Sequence, residues 1–367
     1  MERAILIDII PPRMRVQDSR DRLDELESLV RTYGGVVVVK THQRRATPHP
    51  RTFIGPGKIE MIAQEGKELK ATMLIINNQL KPRQTYLIAE ALRPAGIRVM
   101  DRVDLILHIF RKHAQTAEAR LEIELAAVRH MGPRIFGMGA ELSRQGGGIG
   151  TMGIGETNTE RMKRHLKEQE RQIQKELEKY EHVRANHQKG RRRRGLRTVA
   201  IVGYTNAGKT TLLNALTGRK EYAADKLFAT LDTRVGSLYI PSTHETLLVS
   251  DTIGFIKDLP PTLINAFAST LSETVQADLL LQVVDAADPH LADHLRVVDE
   301  ILEKIGASGI PRFVVFNKMD AAGKRVKAKL RRLIPTGAAS VFVSAEKKEG
   351  MEGLVGEIER KVRREAK

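Results

Sequence analysis

A glycine-rich segment between a buried strand and a helix carries the strongest chemical signal in the sequence. In TVAIVGYTNAGKTTLLNAL, Gly203, Gly208, Lys209 and Thr210 match the pattern G-x4-G-K-[ST] in its required strand–loop–helix setting. The glycines let backbone N–H groups approach a phosphate, and the start of the helix favours its negative charge. Lys209 is expected to reach the β- and γ-phosphates, and the Thr210 hydroxyl to hold Mg²⁺. The segment therefore predicts a nucleoside triphosphate site.

A second segment, ETLLVSDTIGF, supplies groups for the γ-phosphate end of such a site. Asp251 is expected to support Mg²⁺ through water, and the Gly254 N–H to meet the γ-phosphate. Phe255 stands where many GTPases carry a glutamine that orients the attacking water. Because phenylalanine cannot do this, we expect slow intrinsic hydrolysis and a partner that supplies or orders catalytic groups. Arg234 is a candidate arginine finger, and Asn206 is either a K⁺ ligand or a residue that stabilises the loop.

A third segment, FVVFNKMD, places N-K-x-D after a further strand. Asp320 can accept the N1–H and N2–H donors of guanine, whereas adenine would leave that carboxylate opposite an acceptor. Sites that depend on such pairing discriminate by roughly 10⁴-fold, so GTP and GDP are the expected ligands. In VFVSAEKKEG, Ser344 and Ala345 follow a last strand, where a backbone amide can read the guanine O6.

A switch threonine that senses Mg²⁺ and the γ-phosphate is required between the first two motifs. The segment LFATLDTRV offers Thr230 as the first choice and Thr233 as the alternative. The predicted catalytic residues are Lys209, Thr230 and Gly254. The predicted Mg²⁺ ligands are Thr210, Thr230 and Asp251. The predicted nucleotide contacts are Gly203, Tyr204, Thr205, Asn206, Ala207, Gly208, Lys209, Thr210, Thr211, Phe228, Ala229, Thr230, Asp251, Thr252, Ile253, Gly254, Asn317, Lys318, Met319, Asp320, Ser344 and Ala345.

The excess positive charge is concentrated in one stretch of the chain. The 367 residues carry a net charge of +16, and residues 157–197 contribute half of it, with 14 basic and 6 acidic residues. A phosphate backbone suits such a stretch, since each neutralised phosphate releases counterions; the alternative is a solvated charged helix. Aromatic residues make up only 4%, which leaves few platforms for stacking single strands. The absence of cysteine excludes disulfides and thiolate metal sites and suits a reducing cytoplasm.

The pattern of apolar residues predicts an α/β fold with several parts. Residues 1–110 alternate strands and helices, as in a small α/β domain. Residues 111–190 are predicted to form a long antiparallel, coiled-coil-like helical hairpin with a glycine-rich tip at 144–157. A basic linker at 191–197 then leads to a Ras-like P-loop GTPase domain at 198–367. No run of 18 apolar residues is present, so stable membrane insertion is not expected.

Almost the whole chain resembles the HflX family of GTPases. The resemblance rests on IGPGKIEMI in the first domain, GGGIGTMGIGET in the hairpin, and GYTNAGKTTLLNAL, LFATLD, DTIGFI and NKMD in the last domain. It implies binding to the large ribosomal subunit and its rRNA, splitting of stalled ribosomes, and slow GTP hydrolysis that ribosomes stimulate. The tip, Gly146–Gly155, is then expected to reach toward the peptidyl transferase centre. Met152 and Ile154 depart from the arginine and proline that the family usually has there.

The resemblance and the charge together nominate the RNA contacts. They are expected at the tip entrance and in the basic run, at Arg144, Gln145, Gly146, Gly147, Gly148, Arg191, Arg192, Arg193 and Arg194. The sequence leaves open an alternative role in the assembly of immature large subunits. It also leaves open a regulatory switch with a protein or membrane partner, since a basic helix can lie on anionic lipid. A monomeric, cytoplasmic protein, at most peripheral to a membrane, is expected.

Overall fold

The structure is a computed structural model, and it divides the chain into two compact units. The first unit comprises residues 1–112 and 120–177, and the second comprises 113–119 and 178–367. The residues that the structure describes are 1–130, 152–218, 227–228, 234–260, 263–264, 267–323, 326–334 and 339–364.

The first unit contains a four-stranded parallel sheet with helices between its strands. The strand order is β2-β1-β3-β4, and every neighbouring pair is parallel. The strands are β1 (Glu2–Ile10), β2 (Gly35–Arg44), β3 (Met73–Ile76) and β4 (Arg98–Asp101). The helices are α1 (Val16–Tyr33), α2 (Pro56–Glu68), α3 (Pro82–Leu92) and α4 (Arg102–His113). The predicted α/β fold of this region is confirmed.

Apolar runs in the sequence become the interior of this sheet. In β1 the seven residues 4–10 are all buried, as a parallel strand covered on both faces requires. The one charged member, Asp8, is paired with Arg22 of α1 at 2.8 Å. Helix α1 ends at Tyr33 and is capped by Gly34, whose φ of 102° is left-handed. The Gly34 N–H donates to Val30 O and Arg31 O. The sharp stop lets the chain return directly into β2.

Two long helical segments follow α4. Residues 117–130 form helix α5, and α6 runs over Met152–Arg193. Within the first unit they are joined by Gln169 Nε2 to Glu124 Oε1 at 2.9 Å and by Arg129 Nε to Glu170 Oε1 at 2.8 Å. The connection between them, including residues 144–151 of the predicted tip, lies outside the described residues. The helical hairpin therefore stays a prediction. Helix α6 begins at Met152, which lies inside the segment 144–157 that was predicted to be a glycine-rich loop.

The second unit contains a six-stranded sheet with strand order β10-β9-β8-β5-β7-β6. All pairs are parallel except β6 with β7, which forms an antiparallel edge. The strands are β5 (Thr198–Gly203), β6 (Arg234–Ile240), β7 (Glu245–Asp251), β8 (Leu279–Asp285), β9 (Arg312–Asn317) and β10 (Ser340–Phe342). The helices are α7 (Lys209–Thr217), α8 (Ala268–Val275), α9 (Leu291–Lys304), α10 (Lys327–Arg331) and α11 (Met351–Arg364).

The C-terminal part of α6 belongs to this second unit through ion pairs. Arg191 makes two hydrogen bonds to the carboxylate of Glu273 on α8, at 2.9 and 3.3 Å. Arg184 donates to Ser272 Oγ at 3.1 Å and pairs with Glu118 at 2.8 Å. The sequence predicted a linker from residue 191, but the helix continues through Arg193. Arg191 is thus ion-paired within the second unit, and its contact with RNA stays a prediction.

The ion pair between α6 and α8 predicts that two nearby arginines contribute unequally to the free energy of unfolding. Arg191→Ala should lower the free energy of unfolding of the second unit by about 1–3 kcal/mol, because it leaves a largely buried Glu273 without its partner. Arg193→Ala, at an exposed position, should change it by less than about 0.5 kcal/mol. Urea unfolding followed by release of a fluorescent GDP measures both. Equal effects would show that the Arg191–Glu273 pair does not stabilise the unit.

Candidate nucleotide site

The phosphate-binding loop joins the end of β5 to the start of α7. Gly203 and Gly208 both have left-handed backbone conformations, with φ of 157° and 86°. A Cβ on Gly203 would lie 2.3 Å from Val283 O, and one on Gly208 would lie 2.3 Å from Asn317 Nδ2. Each glycine of the sequence motif is therefore required both by backbone conformation and by the lack of space.

Lys209 opens α7 with a buried side chain. Its Nζ donates to Tyr204 O at 2.9 Å, across the loop. Burial lowers the pKa of Lys209 to about 8, against the opposing influence of Asp251. An anion bound in the loop favours the charged amine, so a phosphate and a protonated Lys209 stabilise each other.

Thr210 and Asp251, two of the predicted Mg²⁺ ligands, lie side by side next to the loop. Thr210 Oγ1 donates to Asp251 Oδ2 at 2.7 Å, and both side chains are buried. Asp251 is brought there by strand pairing, since it lies opposite Ile201 of β5. A hydroxyl and a carboxylate at this separation are hard oxygen ligands that fit Mg²⁺. Thr230, Thr233 and Ala229 lie outside the described residues, so the identity of the switch threonine stays a prediction.

The D-x-x-G segment lies directly against the phosphate-binding loop. Phe255 N–H donates to Gly203 O at 3.1 Å, and Thr205 N–H donates to Phe255 O at 2.7 Å. A Cβ on Gly254 would approach Thr205 Cγ2 at 2.8 Å and Lys209 Nζ at 3.0 Å. Gly254 therefore lies where a γ-phosphate held by Lys209 would meet its backbone. The Phe255 side chain is fully buried, so it takes no part in orienting water.

Several predicted nucleotide contacts have side chains that face the protein interior. Thr252 donates its hydroxyl to Ile201 O at 2.8 Å, and Ile253 is buried. Phe228 is buried as well, with a left-handed φ of 56° that is rare for an aromatic residue. These residues can meet a nucleotide only through their backbone. Asn206 is exposed in the loop, with φ of 61°, and its role toward K⁺ stays a prediction.

Asn317 links the phosphate and base ends of the site. Its Nδ2 donates to Ala207 O at 3.0 Å, and its Oδ1 accepts the Ala345 N–H at 3.0 Å. The side chain is almost completely buried at the end of β9. The next residue, Lys318, forms a 2.8 Å ion pair with Asp285 at the end of β8. Asp285 was not among the predicted contacts. Its position at the end of the apolar run in LLLQVVDAADP could have indicated an acidic residue at the end of a strand, beside the site.

The environment of Asp320 favours the ionised form of its carboxylate. A hydrogen bond from Ser344, with a smaller contribution from nearby Lys347, holds the pKa of Asp320 below its ordinary value. Ser344 is fully buried, and its backbone exchanges hydrogen bonds with Glu349 across a tight turn. At neutral pH the carboxylate is charged and can accept two donors from a guanine edge. The sequence placed Ser344 near the base but did not indicate that it orients Asp320.

The fold and this site define a P-loop GTPase. The matching family models are "GTP-binding GTPase N-terminal" over residues 20–111, "GTP-binding GTPase Middle Region" over 113–191 and "50S ribosome-binding GTPase" over 198–318. The chain is 40% identical over 365 residues to the GTPase HflX of Caldanaerobacter subterraneus, a match that covers 99% of this chain and 81% of the relative. The chain therefore belongs to the HflX family; it binds guanine nucleotides and hydrolyses GTP.

Other relatives and solved structures agree with this assignment. The GTPase HflX of Escherichia coli is 41% identical over 319 residues, which cover 87% of this chain and 73% of the relative. The crystal structure of SsGBP with GDP matches with a TM-score of 0.53 and 28% identity, and covers 99% of both chains. A GTP-binding protein from the archaeon Sulfolobus solfataricus, also in complex with GDP, matches with a TM-score of 0.50 and 27% identity over 99% of both chains.

The low pKa of Lys209 predicts proton uptake on nucleotide binding. Its value is about 8 in the free protein, and the phosphates favour the charged form, so affinity for GDP should fall as pH rises above 8. Calorimetry at pH 8 in buffers of different ionisation enthalpy should detect roughly half a proton taken up per GDP. Lys209→Met should bind much more weakly and lack this uptake. Binding of wild-type protein at pH 8 without proton exchange would contradict the assignment of Lys209.

Asp320→Asn should change base specificity, because it replaces an acceptor by a donor. Preference for GTP over xanthosine triphosphate should fall by on the order of 10³-fold. Glu346→Gln makes the same chemical change at an exposed position of the neighbouring loop and should leave the preference unchanged. Competition with fluorescent GDP measures both variants. An unaltered guanine preference in Asp320→Asn would exclude Asp320 as the base-reading residue.

Proposed function

We propose that this GTPase binds the large ribosomal subunit and splits or rescues stalled ribosomes. The observation that carries the proposal is α6, a basic helix whose C-terminal part is ion-paired to α8 of the unit that contains the nucleotide site. The description "50S ribosome-binding GTPase", which matches residues 198–318, supports the same partner. A helix joined to the GTPase unit in this way provides a physical route between an RNA contact and the nucleotide.

The exposed surface of α6 suits structured RNA. Arg161, Lys163, Arg164 and Lys167 are exposed along one part of the helix, and Arg193 and Arg194 are exposed at its end. Folded RNA is recognised largely through its shape, phosphates and 2′-hydroxyls, and such contacts need basic side chains rather than aromatic platforms. Arg144, Gln145 and Gly146–Gly148 lie outside the described residues, and their RNA contacts stay part of the proposal.

The nucleotide site supplies binding and positioning for slow hydrolysis. Lys209 and the loop glycines would hold the phosphates, Thr210 and Asp251 would hold Mg²⁺, and the Gly254 amide would meet the γ-phosphate. When bound, Mg²⁺ would supply positive charge that stabilises the transferring phosphoryl group. With Phe255 buried, a ribosomal contact is required to order the attacking water. This accounts for intrinsic hydrolysis that is slow and rises when the partner binds.

The remaining alternative, a membrane partner, is not part of this proposal. No helix among the described residues is long and apolar enough to cross a bilayer. The apolar positions of α6 form a narrow seam in which Ile173 is buried. Val183, further along α6, is 53% exposed, so the buried positions do not extend to it.

The proposal is tested by measuring GTP hydrolysis with and without purified large subunits, alongside sucrose gradients of intact ribosomes. Large subunits should stimulate turnover, and GTP should produce separated subunits. A non-hydrolysable analogue should support one round of splitting if binding energy separates the subunits and hydrolysis recycles the factor. Stimulation only by precursor particles would favour a role in subunit assembly. Neither effect, with GDP binding intact, would exclude the ribosomal role.

The predicted tip has its own test. Replacing Gly146–Gly155 with a short flexible linker should leave intrinsic hydrolysis within about twofold of wild type, because none of the predicted nucleotide contacts lies in this segment. The same replacement should abolish splitting, since the tip is the part expected to reach toward the peptidyl transferase centre. Gradient profiles at equal ribosome occupancy measure the outcome. Full splitting by this variant would refute the tip as the active element.

A further inference from the structure

Tyr204 connects the phosphate-binding loop to the D-x-x-G segment through its side chain. The Lys257 N–H donates to Tyr204 Oη at 2.8 Å. Next to this contact, Phe255 makes two backbone hydrogen bonds, one to Gly203 and one to Thr205, the residues on either side of Tyr204. The Tyr204 hydroxyl thus holds the segment two residues after Phe255, and Gly254 immediately precedes Phe255.

The ring of Tyr204 is held from outside the loop. It stacks on the imidazole of His294 on α9, with ring centroids 3.6 Å apart and planes inclined by 8°. His294 Nδ1 lies 2.9 Å from Asp288 Oδ2, and Asp288 Oδ1 accepts the His290 N–H at 2.8 Å. Burial opposes ionisation of Asp288, but the hydrogen bonds and charges of His294 and His290 together outweigh it and keep the pKa of Asp288 below its ordinary value. The charged carboxylate therefore fixes the imidazole under the tyrosine ring.

We propose that Tyr204 is a positioning residue for GTP hydrolysis, and that His294, oriented by Asp288, fixes its ring. The hydroxyl holds the backbone at Lys257, which keeps the Gly254 amide against the γ-phosphate end of the loop. None of the nucleotide-binding motifs assigns a role to His294 or Asp288. The inference concerns intrinsic hydrolysis and stands whether or not the chain acts on ribosomes.

This positioning matters because Phe255 stands at the position where many GTPases carry the glutamine that orients water. Phe255 is buried, so hydrolysis depends on where the backbone of the D-x-x-G segment lies. That backbone is close to Lys209, whose Nζ is 3.0 Å from the position of a Cβ on Gly254. A shift of about 1 Å in such an arrangement is enough to reduce turnover substantially.

The first variant is Tyr204→Phe, which removes the hydroxyl and keeps the ring. In single-turnover assays the rate constant of GTP hydrolysis should fall about fivefold to tenfold, the effect of one lost positioning hydrogen bond. Affinities for GDP and GTP should stay within about twofold, since the phosphate contacts of the loop are retained. Hydrogen exchange in a peptide spanning residues 254–258 should become faster, because the Lys257 N–H loses its acceptor.

The second pair of variants tests the stacking partner. His294→Ala should lower kcat about twofold to fivefold, because the ring of Tyr204 loses the surface that orients it. His294→Phe should restore most of the wild-type rate, since an aromatic ring is again present. The control is Tyr239→Phe, which removes a hydroxyl 2.8 Å from His244 at an exposed position on β6. It should behave as wild type in every assay.

Two results would overturn the proposal. One is wild-type kcat and wild-type exchange at residues 254–258 in Tyr204→Phe. The other is an equal loss of kcat and nucleotide affinity with a lowered Tm, which would make the Tyr204 hydroxyl a general support of the loop. A selective loss of kcat with unchanged affinity, together with recovery in His294→Phe, would establish the positioning role.

Discussion

The nucleotide site depends on one buried amide, that of Asn317. Its nitrogen holds the carbonyl of Ala207 in the phosphate-binding loop, and its oxygen holds the amide of Ala345 in the loop that faces the base. The same nitrogen occupies the space that a Cβ on Gly208 would need, so Asn317 also requires the glycine of the first motif. Two segments more than one hundred residues apart therefore share one hydrogen-bonding group.

The sheet explains why so many separate motifs meet at this amide. Strand β5 lies between β8 and β7, and the parallel strands all end on the same side. Ligands in open α/β sheets bind beyond the carboxyl ends of the strands, at the position where the strand order reverses. Gly203, Asp251, Asp285 and Asn317 end four neighbouring strands there. The sequence spacing of the motifs reflects the lengths of the helices and connections between these ends.

The sequence predicted the elements whose chemistry is local, and missed contacts that only the fold creates. The glycines at 203 and 208 and the pair of Thr210 and Asp251 followed from motif chemistry and reappear with the required geometry. The ion pair between Arg191 and Glu273 could not be predicted, because its partners lie 82 positions apart and neither belongs to a motif. The stacking of Tyr204 on His294 could not be predicted either, because His294 lies far along the chain and belongs to no motif.

The role of the Asn317 amide in organising both ends of the site is tested most directly by the GDP affinity of Asn317→Ala. Loss of two buried hydrogen bonds, on the order of 1–3 kcal/mol each, should weaken GDP binding by about 100-fold or more. Gln282→Ala is the matched control, because it removes a buried amide from the adjacent strand that bonds to Asp299 and not to the site. Its affinity should stay within about threefold of wild type. A fall of less than about fivefold in Asn317→Ala would contradict the account.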